Sequence, residues 1–200
     1  MSLTIDYYFA PQSPWAYLGH ARFAAIAMAA GARVNVLPID LGRVFPVSGG
    51  LPLAKRAPQR QAYRLVELKR FGEHLGVPLN LHPAYFPVAS DEAAKLIVAV
   101  DLAEGSDAAM AVAGALLRAV WAEERNIADG RELAATLAAL ALPASCLADA
   151  QSPAVAERCA AYLQSAIDAG VFGAPSYVID GEMFWGQDRL DFVQRRLARI

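Results

Sequence analysis

The sequence is poor in the residue types that carry most site chemistry. Its only cysteines are Cys146 and Cys159, with twelve residues between them and no CxxC pair, so they offer neither a dithiol redox centre nor a metal site. Both read as small hydrophobes in or beside helices. Histidine is almost as scarce: His20, His74 and His82 show no ligand spacing, and none is expected to be catalytic. Charge is balanced, with 18 Lys and Arg against 20 Asp and Glu for a net charge of -2, and no basic tail or charge block occurs. That balance removes the electrostatic reason to expect nucleic acid or an anionic membrane surface as a partner. Apolar runs are interrupted by charge or proline before they reach membrane-spanning length. Residues 1–6 lack the basic region, apolar run and small-residue cleavage site of a secretory signal, so a cytoplasmic location is expected.

What is present is apolar residue, 56% of the chain against 19% charged, over 200 residues. This is enough for one domain with a substantial core, or for one domain carrying a large insertion. Leu3, Ile5, Tyr7 and Phe9 alternate with Thr4, Asp6 and Tyr8, the two-residue period of a strand. The strand stops at Pro11, and Ser13-Pro14 then reads as an N-cap followed by a first-turn proline. The helix it opens runs over 14–30 and is closed by Gly31. Val34, Val36 and Leu37 form a second short strand ending at Pro38, which completes a βαβ unit with parallel strands.

Residues 41–60 hold three Pro and three Gly and read as loop, without the spacing of a phosphate-binding motif. Helices are expected over 61–75, from Ser90-Asp91-Glu92 to 103, over 107–124, and from a capping box at Asp129-Gly130-Arg131-Glu132 to 140. Another is expected from Ser152-Pro153 until Gly170 closes it. The last thirty residues return to strand chemistry: 176–179, an Asp180-Gly181 hairpin turn, then 182–185. A final helix over 190–197 has Leu190, Val193 and Leu197 on its inner side and Phe192 at the edge of that face. The architecture is therefore α/β with a thioredoxin-like order, βαβ then ββα. Residues 1–41 and 170–200 would form one discontinuous domain, and 42–169 a helical insertion.

Three pieces carry a more specific message: the strand followed by Ser13-Pro14-Trp15-Ala16-Tyr17, the segment Gly170-Val171-Phe172-Gly173-Ala174-Pro175-Ser176-Tyr177, and Phe184-Trp185-Gly186-Gln187-Asp188-Arg189-Leu190. In this order and separation they resemble the DsbA-like thioredoxin superfamily over essentially the whole chain. Within it they resemble the 2-hydroxychromene-2-carboxylate isomerases and the kappa-class glutathione transferases. Redox members have a CxxC where this chain has Ser13-Pro14-Trp15-Ala16, so dithiol-disulfide exchange is chemically excluded at that site. The resemblance implies that the sulfur arrives with glutathione, held as thiolate by the Ser13 hydroxyl. A hydroxyl donor and a positive helix end both favour a thiolate over a thiol.

The resemblance also implies a cis peptide at Ala174-Pro175, whose exposed backbone would pair with a peptide-like ligand. It implies that Gln187 and Asp188 receive the γ-glutamyl end of glutathione. Lys55, beside Arg56 in the substrate-side loop, would meet the carboxylate of an aromatic pyruvate or of the glutathione glycine. Tyr17 either lines the pocket or packs in the core. The implied activity is glutathione-dependent cis-trans isomerisation of 2-hydroxychromene-2-carboxylate or a related aromatic compound, in aromatic compound catabolism, by a homodimer. A kappa-like transferase or peroxidase uses the same activated thiolate. A non-catalytic thioredoxin-like module would keep the peptide-binding edge without turnover. No metal is required by any of these.

Overall fold

The alternating amino-terminal residues form β1 (Thr4–Phe9) in a computed structural model that describes residues 3–199. Met1, Ser2 and Ile200, the outermost residues of the two expected halves of the discontinuous domain, lie outside the described residues. Ser13 caps α1 (Pro14–Ala29), and β2 (Arg33–Pro38) returns parallel to β1 in the register Thr4↔Arg33 through Phe9↔Pro38. Near the carboxyl end, β3 (Ser176–Ile179) pairs antiparallel with β1, and β4 (Glu182–Trp185) antiparallel with β3, giving the sheet order β2-β1-β3-β4. Asp180 and Gly181 both have positive φ (48° and 80°), the conformation a two-residue type I′ turn demands.

Between β2 and β3, among the described residues, the regular elements are helical. They are α2 (Leu41–Ser48), a 3-10 turn (Leu53–Lys55), α3 (Pro58–Leu75), α4 (Asp91–Glu104), α5 (Ser106–Trp121), α6 (Gly130–Ala139), α7 (Cys146–Asp149) and α8 (Pro153–Asp168). α9 (Leu190–Leu197) closes the chain, with Leu190, Val193 and Leu197 buried and Phe192 half exposed.

Five expectations are corrected. Residues 41–60 are not continuous loop. Asp40 accepts a hydrogen bond from Gly42 N at 2.7 Å, and Val44 is fully buried in a cluster with Leu163 and Ala166 of α8. Capping and anchoring sustain two turns although Pro46 removes one ladder donor. α3 starts at Pro58 instead of 61, using the proline as its first residue, and α5 ends at Trp121 instead of 124. At α6 the Asp129 carboxylate accepts from Arg131 N, but Glu132 turns to Arg125 at 2.6 Å, so the reciprocal half of the capping box is not made. The Ser90 side chain likewise forms no cap bond.

The two faces of the sheet are covered differently. Ile5, Tyr7 and Phe9 of β1 join Phe23 of α1, Ile97 and Val100 of α4, Leu116, Leu117 and Trp121 of α5, and Leu190 of α9 in one cluster. Tyr8, Leu37 and Val178 point the other way, against α2 and α8. The helices α4 and α5 therefore share one core with the sheet. Each large apolar side chain buried there contributes about 1.5–3 kcal/mol. Tyr7 is the hub, stacked on Phe9 at 4.6 Å and on Tyr177 at 5.4 Å between ring centroids. Both cysteines are free, and burial raises both thiols above their ordinary range, which suits packing groups.

His20 of α1 belongs to this core. Its Nε2 lies 3.0 Å from the Met110 carbonyl of α5 and its Nδ1 3.3 Å from the Tyr7 hydroxyl. A carbonyl only accepts, so Nε2 carries the proton and Nδ1 accepts from Tyr7. Burial pulls the imidazole down to about 4 from the ordinary 6.5, and the Met110 bond opposes it only in part. The unfolded chain therefore binds more protons between those values, and stability falls as pH drops from 6.5 to about 4. The His20 contribution to that fall is about 3 kcal/mol at 1.4 kcal/mol per pH unit. Urea denaturation across this window should show the slope in the wild type and its loss in His20→Gln; equal slopes would refute the role.

Candidate active site

The candidate site is built where β1 turns into α1. Ser13 N donates to the Ala10 carbonyl at 2.8 Å, and Tyr17 N opens the helical ladder by donating to the Ser13 carbonyl at 3.0 Å. Ser13 sits in extended geometry (φ -77°, ψ 122°), and its Oγ accepts from Ala16 N at 3.2 Å. The hydroxyl thus spends an acceptor on the helix and keeps its O–H to donate. No acidic side chain stands in the first turn of this 16-residue helix, so its own sequence does not offset the positive end. Gln12, just before, is pinned twice: its carbonyl accepts from Trp121 Nε1 and its Oε1 from Val88 N, both at 3.2 Å.

The sheet register brings the second piece here. Tyr8 pairs with Ser176, and each step forward in β1 is a step back along the antiparallel chain. That pair is the last of the ladder, so Ala174-Pro175 enters β3 at the end of β1 that leads to Ser13. Ala174-Pro175 is cis. The Pro175 carbonyl is taken by Gly186 N at 2.9 Å, whereas no group among the described residues takes up the N–H or C=O of Ala174. Ala174 itself is mostly buried, at 8% exposed.

Gly186 (φ 105°) allows the turn that delivers Gln187 and Asp188, in a 3-10 turn (Gln187–Arg189) leading into α9. Gln187 lies flat against α1, where a Cβ on Gly19 would sit 2.7 Å from the Gln187 Cβ and 3.2 Å from the Tyr177 hydroxyl oxygen. Its Nε2 is buried without a protein partner, as is the Tyr177 hydroxyl, whose proton burial makes hard to remove. Asp188 remains partly exposed and pairs with Arg189 at 2.7 Å. Gln187 therefore lies against α1 at Gly19, and Ala174-Pro175 enters the sheet at the end of β1 that leads to Ser13.

Lys55 is not gathered with them through any hydrogen bond or ion pair among the described residues; it is exposed on the 3-10 turn after α2. Tyr17 donates to the Pro78 carbonyl at 2.6 Å and ties α1 to the segment after α3. The sequence reading missed Arg64, on the face of α3 that meets the Phe86 and Trp121 rings at 5.1 and 5.6 Å from guanidinium carbon to ring centroid. It also missed that Phe86-Pro87 is a second cis peptide. The one signal available was the spacing of Arg56, Arg60 and Arg64, four residues apart each with no acid among them.

A four-stranded βαβ and ββα sheet, with a cis-proline immediately before its third strand, defines a thioredoxin fold of the DsbA type. The match to the DSBA-like thioredoxin domain runs over residues 4–198, and the chain belongs to that family. Within it the chain is a member of the 2-hydroxychromene-2-carboxylate isomerase family. It is 30% identical to the 2-hydroxychromene-2-carboxylate isomerase of Sphingobium xenophagum, over 98% of this chain and 99% of that one. The isomerase of Pseudomonas putida is 28% identical, over 99% and 96% respectively. A solved 2-hydroxychromene-2-carboxylate isomerase superposes with a TM-score of 0.82 at 26% identity, covering 98% of this chain and 95% of the other.

Gly19 is the contact that lets Gln187 lie against α1. Gly19→Ala should push the 3-10 turn away and cost about 1–3 kcal/mol by overpacking, although alanine is the better helix former. An unchanged or raised urea midpoint would show that the contact is not tight.

Proposed function

We propose that the protein is a glutathione-dependent cis-trans isomerase interconverting 2-hydroxychromene-2-carboxylate and trans-o-hydroxybenzylidenepyruvate, or a closely related aromatic pair. The observation that carries this is the Ser13 turn: a hydroxyl with a free proton, at an uncompensated helix N-terminus, in a fold whose redox relatives would place a cysteine there. The family membership and the names of the relatives support the reaction. The residues present fit glutathione. In this reading Ser13 would take the thiol, the unpaired Ala174 backbone the middle of the tripeptide and the orphaned Gln187 Nε2 its γ-glutamyl end. Gly19, which packs on Gln187, is six residues beyond Ser13, about 9 Å along the helix axis. An extended tripeptide spans about 10 Å.

When bound, glutathione would supply a thiolate, the nucleophile for reversible addition to a conjugated carbon. Ser13 would donate a hydrogen bond to that sulfur and, with the helix end, hold it ionised at neutral pH. Ala174 pairs with the peptide backbone of the ligand, and Gln187 with Asp188 holds the γ-glutamyl end, Asp188 facing its ammonium. These contacts fix the sulfur beside the substrate, so the reaction proceeds within one oriented complex. The same reading gives a cytoplasmic homodimer. Among the described residues no helix is long and apolar enough to cross a membrane.

The test is spectrophotometric interconversion of the two isomers with and without glutathione. Dependence on glutathione with an unchanged glutathione pool is expected. Stoichiometric loss of the thiol would mark a transferase or peroxidase instead, and binding without turnover a non-catalytic module. Ser13→Ala should raise the pKa of the bound thiol, read by its ultraviolet thiolate absorbance, and slow turnover roughly 10- to 1000-fold. An unaltered titration would remove Ser13 from its role.

A further inference from the structure

We infer that Arg64 binds the carboxylate of the aromatic substrate beside the Ser13 turn, which makes it the specificity-determining cation of the site. The inference rests on the proposed function for the identity of the substrate, and its geometry stands on four groups. The guanidinium carbon of Arg64 lies 5.1 Å from the Phe86 ring centroid and 5.6 Å from that of Trp121. Trp121 Nε1 donates to the Gln12 carbonyl, and Val88, two residues after Phe86, donates its N–H to Gln12 Oε1, each at 3.2 Å. The two segments that stack on the guanidinium are thus the two that pin the residue preceding Ser13. Arg64 stands one ring away from the Ser13 turn. The edge-to-face contact of Trp15 with Phe71, at 6.0 Å, holds α3 against α1 on this side.

This charge has no counterion among the described residues. α3 spends its carboxylates elsewhere, Glu67 on Arg70 and Glu73 on Lys69, while among the described residues Arg56, Arg60 and Arg64 form no ion pair. Arg64 Nη2 is buried without a hydrogen-bond partner. Burial, and after it the charge of Arg56, draws this guanidinium down to about 10. Arg56 is itself lowered by burial and by Arg60. Gathering like charges and burying one without a partner is unfavourable, unless an anion completes the site. Stacking on the two rings holds the guanidinium by its faces and leaves its edge donors for an acceptor lying in their plane. A carboxylate matches that fork with two parallel hydrogen bonds.

Two carboxylates could fill the position, the substrate's and the glycine terminus of glutathione. Arg64 reaches the turn from α3, the Phe86-Pro87 segment and the end of α5. None of these takes part in the Ala174 to Asp188 arm that fits the tripeptide. The guanidinium therefore serves the second ligand, and the neighbouring aromatic residues suit a ring attached to that carboxylate.

The full-length protein is titrated calorimetrically, with glutathione present, against 2-oxo-4-phenylbutanoate, a saturated analogue that cannot isomerise, and against its methyl ester. The wild type should prefer the acid by roughly 10- to 100-fold, the worth of a hydrogen-bonded charge pair. Arg64→Met should bind acid and ester alike, Arg64→Lys should keep part of the preference, and glutathione affinity should stay within about twofold in all three. In turnover, KM for the chromene carboxylate should rise by the same factor with little change in kcat. Persistence of the acid preference in Arg64→Met overturns the inference. A loss of glutathione affinity with the preference intact also does, by assigning the guanidinium to the glycine carboxylate. Should Arg64→Met fail to fold, equal binding of acid and ester by the wild type is still decisive against it. Absence of isomerase activity in the wild type would overturn the proposed function alone, since the acid and ester titrations read Arg64 without turnover.

Discussion

The site depends on the capping of α1 by Ser13. A helix end leaves amide groups without partners, and the chain must satisfy them or present them to a ligand. Here Pro14 removes one donor and the Ser13 oxygen accepts from Ala16 N, which leaves the serine proton available to another acceptor. A cap of this kind contributes about 1 kcal/mol to the helix. The same geometry suits the anion that the proposed function requires, because the side chain that ends the helix keeps a donor at its positive pole. Structure and chemistry use one hydroxyl in two directions.

A cap is useful only if its position is fixed, and the sheet fixes it. The β1 strand is buried on both faces, with Tyr7 stacked between Phe9 and Tyr177, so its register against β3 cannot slip without moving every ring to the wrong side. That register brings Ala174-Pro175 to the end of β1 that leads into α1. From there β4 and the Gly186 turn return the chain to α1 at Gly19. The helical segment supplies the remaining restraint, since Trp121 at the end of α5 and Val88 before α4 both bond to Gln12. The helices between β2 and β3 therefore share the sheet's core and take part in holding the turn.

The parts legible in the sequence were those with a local signature. Ser13-Pro14, Asp180-Gly181 and the alternation in β1 each have a physical cause within a few residues, and the ββα end followed from them. Composition misled at 41–60, where proline and glycine suggested loop, yet one Asp40 cap and the burial of Val44 sustain α2. Arg64 was illegible for a related reason. Its place on α3 is polar by pattern, and only Phe86 and Trp121, distant in the chain, bury it. Lys55 and Arg64 show the limit: sequence could place cations in the substrate-side segment, but it could not say which one tertiary packing would desolvate.

Three buried side-chain atoms among the described residues lack a protein partner: Arg64 Nη2, Tyr177 Oη and Gln187 Nε2. An unpaired buried polar group costs about 1–3 kcal/mol, a large fraction of the 5–15 kcal/mol that holds a domain together. Orphans scattered at random would be defects of packing. These are not scattered, because Tyr177 and Gln187 flank Gly19 on one side of α1 and Arg64 stacks on the ring that holds Gln12 at its start. Local rules of stability are broken together and around one helix end, where functional demands outweigh them. Serine in place of the redox cysteine fits the same logic. With no sulfur at this turn, the proposed reaction would need one supplied by a ligand, and orienting and ionising it would need polar groups held ready in advance.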